Sequence, residues 1–167
     1  MSEADFFNAI LEKANCGMLL DVNNVYVNSL NHHFDAKDFI RQLPLHRVAQ
    51  IHMAGHKECG DVIVDTHEGP IIDPVWDLYQ FTIQEIGRPV STLIEWDTNI
   101  PALAKVVDEA VHAQRIIDTI IGPQSKVTRP KSPIQSTRDS SVGHGRSMLD
   151  PGVYKLAQRR EAVGVSR

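Results

Sequence analysis

A parallel α/β fold is predicted by two observations. Apolar patterns of helical and strand period alternate along residues 2–121, and the residues suited to metal binding fall where the predicted strands end. The chain has 167 residues, enough for one domain with a buried core, and its 42% hydrophobic and 23% charged residues are ordinary for a globular protein.

The first helix is marked by Ser2 with Asp5 three residues on, after which Phe6, Phe7, Ile10, Leu11 and Ala14 recur at helical spacing until Gly17 stops them. MLLDV is a short apolar run that reads as a buried strand, and Asn23 and Asn24 after it read as turn residues. His32 and His33 read as loop surface. Asp35 caps a second helix with Phe39, Ile40 and Leu43, ended by Pro44. RVAQIHMA is the second strand, Gly55 and Gly60 bracket a turn, and DVIVDTH is a third extended piece. Asp73 with Pro74 starts a helix whose face is Val75, Tyr79, Ile83 and Ile86, and Gly87 closes it. Trp76 and Tyr79 are expected to pack this helix. STLIEWD is a further strand, and Asn99 with Pro101 opens a last helix lined on one side by Leu103, Val106, Val107, Ala110, Val111 and Ile117.

The net charge of −4 conceals two unlike parts. From Gln124 onward there are nine Lys and Arg against three Asp and Glu, which leaves eight bases against eighteen acids before it. The expected organisation is therefore a folded α/β domain at 1–121 and a low-complexity basic tail at 122–167. Rich in Pro, Ser, Gly and Arg, the tail reads as disordered apart from a short helix near Val153 to Ala162. It reads as a solvated extension, so neither nucleic acid nor a membrane is expected as a partner. No apolar run approaches the roughly 20 residues of a membrane span, and no secretory leader is evident, so a cytoplasmic location is expected. Cys16 and Cys59 form no disulfide framework, which suits a reducing compartment.

The segment QIHMAGHKECGDVIVDTHEG concentrates three of the chain's eight histidines. His52 and His56 fall near the end of the second strand, Asp21 near the end of the first, and Glu95 with Asp97 near the end of the fourth. In parallel α/β folds that edge carries the active site, because its loops converge on one volume. Asp65 and His67, two apart on an extended segment, would face the same side. Asp21, Asp65 and Glu95 together in a partly dry pocket demand cations. Imidazole mixed with carboxylate suits iron, zinc or manganese, whereas calcium and magnesium favour oxygen alone. The donor count exceeds one tetrahedral site, which points to more than one metal. Blander roles are available too: His52 as a hydrogen-bonded structural residue, Asp21 as a loop cap and Cys59 as an inert thiol.

LLDVNNVYVNSLNHHFDA, QIHMAGH, DTHEGPIIDPVWDLY and LIEWDTNIP, four segments in order, resemble those of domain-of-unknown-function family 692. That family is also called uncharacterised protein family 0276, and its members are multinuclear non-haem iron-dependent oxidases. The resemblance covers Ser2 to Ile121. It implies a xylose-isomerase-like TIM (β/α)8 barrel holding two or three irons. It further implies molecular oxygen as co-substrate, cysteines of a ribosomally made precursor peptide as the target, and a partner recognition protein. Carried over by motif, the metal ligands would be Asp21, His56, Asp65, His67 and Glu95, with Asn24, His52 and Asp97 as near-shell groups. No residue is singled out as catalytic.

Family members are longer than the matching region and begin with further strands that add histidines and a glutamate to the metals. The chain is thus expected to hold the C-terminal half of a barrel and to be inactive alone. Its exposed strand edges are expected to favour self-association. Two other functions fit the same residues: a metal-dependent isomerase or phosphodiesterase on this barrel class, which would carry zinc or manganese, and a degenerate fragment without enzymatic activity.

Overall fold

A computed structural model describes residues 1–123, so all but the first two residues of the expected tail at 122–167 lie outside the described part. In chain order the elements are α1 (Glu3–Ala14), β1 (Met18–Asp21), α2 (Val22–His32), α3 (Ala36–Gln42), β2 (Val48–Ala54), β3 (Lys57–Cys59), β4 (Val62–Val64), α4 (Asp73–Ile86), β5 (Ser91–Glu95) and α5 (Leu103–Ile121). A single 3₁₀ turn, Leu45–Arg47, leads into β2. Among the described residues no helix is long and apolar enough to cross a membrane.

The three long-range strands form a parallel sheet in the order β1-β2-β5, and parallel neighbours require crossover connections, which the helices supply. The parallel α/β class expected from the sequence is the class observed. Three strands do not close a barrel, and among the described residues β1 and β5 each leave one edge unpaired.

One face of the sheet is covered by helices. Leu20, Ile51 and Met53 point into that layer and are buried against Val25, Ile40, Val75, Tyr79 and Ile83. Burying side chains of this size contributes about 1.5–3 kcal/mol each. The other face carries Leu19 and Asp21 of β1, Gln50 and His52 of β2, and Leu93 and Glu95 of β5, as strand alternation and register require. Toward the start of the strands this face is open: Leu19 is 56% exposed and Leu93 42%.

The ends of most helices follow the sequence. Ser2 and Asp5 form a reciprocal cap, the Asp5 amide donating to the Ser2 hydroxyl at 3.1 Å and the Ser2 amide to the Asp5 carboxylate at 3.2 Å. Asp35 accepts from the Asp38 amide at the start of α3. Gly87 closes α4 with a left-handed φ of 67°, and its amide donates to the Ile83 carbonyl. Helix α1 ends sooner than Gly17, at Ala14, because Asn15 adopts the left-handed region and caps it.

Three features depart from the sequence reading. The residues read as a turn and loop surface after the first strand are an 11-residue helix, α2, with Asn23 and Asn24 in its first turn. His32 ends that helix and His33 is its left-handed C-cap. Second, DVIVDTH does not join the main sheet: Val62–Val64 pairs antiparallel with Lys57–Cys59 as a hairpin. Asn31 holds the hairpin, donating to the Ile63 carbonyl at 2.7 Å and accepting from the Ile63 amide at 2.9 Å. Third, the expected apolar side of α5 is largely open, with Leu103, Val107 and Val111 exposed; Ala113 and Ile117 are the residues it buries.

Gly55, just after β2, is where the loop carrying His67 closes on the sheet. A Cβ there would lie 2.3 Å from both the Glu68 and the Gly69 carbonyl oxygens, so only glycine admits this approach. Gly55→Ala is expected to displace the 65–69 loop. Overpacking costs about 1–3 kcal/mol, which corresponds to a fall in melting temperature on the order of 5–10 °C by thermal unfolding. An unchanged melting temperature would show that the loop does not sit against Gly55.

Candidate metal centre

The C-terminal ends of the three parallel strands place Asp21, His52 and Glu95 side by side. Asp21 is the last residue of β1 and also the N-cap of α2, so its two oxygens divide the work. One accepts from the Asn24 amide at 2.8 Å and the other meets His52 Nδ1 at 2.5 Å. His52 is buried, and its Nε2 lies 2.6 Å from a Glu95 oxygen. With a carboxylate at each ring nitrogen, both contacts are hydrogen bonds only if the ring carries two protons.

The loop after β4 brings His67 onto this row. Its ring stands 4.8 Å from that of His52, and its Nδ1 is 3.1 Å from Asp97 and 3.4 Å from Glu95. The Asp97 amide donates to the His67 carbonyl at 2.9 Å, which ties the loop to the end of β5. His67 is not extended, since its φ is 52°. A non-glycine residue in the left-handed region is uncommon and is held there by its surroundings. The sequence argument placed Asp65 and His67 on one face by strand alternation. They do approach, His67 Nε2 lying 3.5 Å from Asp65, but through the left-handed turn.

A second group adjoins the first. Asp65 accepts from Asn23 at 2.5 Å through one oxygen and from Asn24 at 3.0 Å through the other. His56 donates through Nδ1 to the Asn23 side-chain oxygen at 2.8 Å. Asn23 is fully buried. It was absent from the sequence-derived site because an asparagine after a strand reads as a turn residue. The signal that marks it is positional: it lies in the first turn of a helix whose cap, Asp21, is already at the site.

Two overlapping triads have ligand atoms within 4.8 Å of one another: Asp21, His52 and His67, and His67, Glu95 and Asp97. Of the expected ligands, Asp21, His67 and Glu95 fall in these triads, while Asp65 and His56 stand beside them. Of the expected near-shell groups, His52 and Asp97 lie within the triads and Asn24 bonds Asp65. Thr66, between Asp65 and His67, buries a hydroxyl oxygen that has no hydrogen-bond partner among the described residues. A mixed imidazole–carboxylate set at this spacing fits iron, manganese or zinc.

His52 and His56 respond oppositely to their settings. The Asp21 hydrogen bond is the largest influence raising the pKa of His52 above 6.5; burial opposes it, and the Asp21 charge and Glu95 add to it. Burial lowers that of His56, against the charges of Asp65 and Glu58. Folded His52 binds its proton more tightly than the unfolded chain does. Its contribution to stability is therefore complete below about pH 6.5 and is lost as pH rises through the folded value. For His56 the sign reverses, and charging the ring on acidification costs stability. Histidine-resolved NMR titration of metal-free protein is expected to show His52 losing its proton above 6.5 and His56 below it. Coincident titrations would contradict the two environments.

The family model described as RiPP precursor modification enzyme MbnB/TglH/ChrH matches residues 1–118. A UPF0276 protein of Rhizorhabdus wittichii is 48% identical over 109 residues, covering 65% of this chain and 39% of that protein. One from Shewanella loihica is 47% identical over 131 residues, with 78% and 44% covered, and one from Nitrosospira multiformis is 51% identical over 113, with 67% and 40% covered. The chain spans about two fifths of the length of these relatives. The matched region includes every ligand-type residue from Asp21 to Asp97, and the chain belongs to the MbnB/TglH/ChrH family of RiPP precursor modification enzymes.

Proposed function

We propose that this chain carries part of the metal centre of a multinuclear iron-dependent oxidase that modifies cysteines of a ribosomally made precursor peptide. The observation that carries the reading is the convergence of carboxylates and imidazoles from three strand ends and one loop on a single edge of the sheet. The family description supports a precursor peptide as the substrate class.

In this reading Asp21, His56, Asp65, His67 and Glu95 are the ligands, and His52, Asp97 and Asn24 support them. Bound iron would supply the redox capacity for oxidation of the peptide by molecular oxygen. The chain's own residues set the geometry. Asp21 is fixed by capping α2, which limits its motion toward the site. Asp97 accepts from His67 and orients its ring. His52, held between Asp21 and Glu95, offsets part of their negative charge whenever it is protonated.

The open edges of β1 and β5 and the exposed Leu19 and Leu93 fit a partial TIM barrel that is completed by further polypeptide. The whole-protein activity then needs that polypeptide, together with a recognition protein for the peptide, and copies of this chain alone would tend to self-associate.

Protein purified without oxygen is expected to contain iron by elemental analysis, and His67→Ala or Asp65→Ala is expected to lower it at least tenfold. Zinc or manganese in place of iron would favour an isomerase or phosphodiesterase, and equal metal in wild type and both variants would refute the ligand assignment. The chain alone is expected not to change the mass of a cysteine-containing precursor peptide under iron and oxygen. Co-expression with the unmatched part of a relative is expected to restore turnover. Full turnover by the isolated chain would show that the partial-barrel reading is wrong.

A further inference from the structure

We infer that Asn23 is the positioning residue of the second ligand group: it sets the ring tautomer of His56 and the orientation of Asp65 at once. This deepens the metal-centre reading and rests on it. The Asn23 amide nitrogen lies 3.3 Å from the Gly55 carbonyl oxygen and 2.5 Å from Asp65. A backbone carbonyl can only accept, so the NH2 end of the side chain must face Gly55 and Asp65, and the oxygen end must face the other way. That oxygen is 2.8 Å from His56 Nδ1. An amide oxygen can only accept, so His56 must carry its proton on Nδ1. In the neutral ring Nε2 is then bare, with a lone pair free to bind a metal.

The arrangement leaves Asn23 little freedom. It is fully buried, and both ends of its amide are engaged. The backbone of α2 fixes its origin, and Gly55, the residue that lets the His67 loop close, supplies the carbonyl that fixes its orientation. One side chain on α2 thus links the segment after β2 to the segment after β4. Asn24 shares only the Asp65 contact, through the other carboxylate oxygen, and does not reach His56.

The test is two-bond 1H–15N NMR on 15N-labelled, metal-free full chain, which separates protonated from bare ring nitrogens, with His56 assigned by its loss in His56→Gln. The expected result is a proton on Nδ1 and a bare Nε2 in wild type. Asn23→Ala is expected to lose that pattern, whereas Asn23→Gln, which keeps an amide oxygen for His56 and an amide donor for Asp65 and Gly55, is expected to retain it. Titration with Fe2+ under argon is expected to show Asn23→Ala binding about 10–100-fold more weakly. An Nε2-protonated His56 in wild type, or an unchanged tautomer in Asn23→Ala, overturns the inference. If Asn23→Ala loses its far-UV circular dichroism, the wild-type tautomer and the Asn23→Gln variant decide. Wild type with the expected tautomer but no Fe2+ uptake would refute the metal reading and leave the Asn23 contact standing. Equal Fe2+ affinity in a folded Asn23→Ala would refute the positioning role alone.

Discussion

The contact of His52 with Asp21 on one side and Glu95 on the other joins all three strands of the parallel sheet at their C-terminal ends. Backbone register alone makes the strands neighbours; this imidazole links their side chains across the full width of the sheet. Its position is dictated by alternation. Ile51 and Met53, on either side, are buried in the helical layer, so His52 must face the other way, where Asp21 stands in register with it and Glu95 two residues along from its register partner Leu93. Two carboxylates could not approach so closely around a neutral apolar residue without a large desolvation and repulsion cost. The same charge problem explains why the group suits a metal: cations and imidazolium are alternative answers to one excess of negative charge.

The two faces of the sheet obey different rules. The helical face is packed by side chains of ordinary apolar type, and Tyr79, buried in it, satisfies its hydroxyl against Thr92 at 2.8 Å. The opposite face mixes leucines with ligand-type groups. Helices α1 and α5 flank this layer, and each turns an apolar row outward, Phe6 with Ile10 on the first and Leu103, Val107 and Val111 on the other. Exposed apolar rows on both flanking helices and exposed leucines on the open face form one pattern, in which the covered side of the sheet is finished and the uncovered side is not.

Much of this was readable from residues alone. The Ser2–Asp5 pair, the Asp35 cap, the Asp73–Pro74 start and the Gly87 stop are local signals, and they bound their helices within a residue or two. Helix α2 was not readable, because VNNVYVNSLNH is rich in β-branched residues and asparagines, which have weak helix propensity. Val22 and Val25, buried in the common core, hold the helix through tertiary contact. The hairpin escaped for a related reason: each strand is three residues long and largely exposed, too short for a period to register. At the site the residue types and their common edge were legible. The partners were not, since His56 meets Asp65 only through Asn23, and no linear spacing encodes a bridge made by a third side chain.

Asn31 and Asn23 grip the same short segment from opposite ends of α2. The last turn of the helix holds the backbone of Ile63, and the first turn holds the carboxylate of Asp65. The two asparagines stand eight positions apart along the helix, a strut of roughly 12 Å. The hairpin is thereby braced to a helix and not to the sheet, so a tilt of α2 would carry Asp65 and Asn23 as a unit while Glu95 stayed with its strand. The centre is in this sense built on two frames, and its dimensions across the gap between them are set by how α2 seats on the core, a matter of Val22 and Val25 as much as of the polar residues themselves.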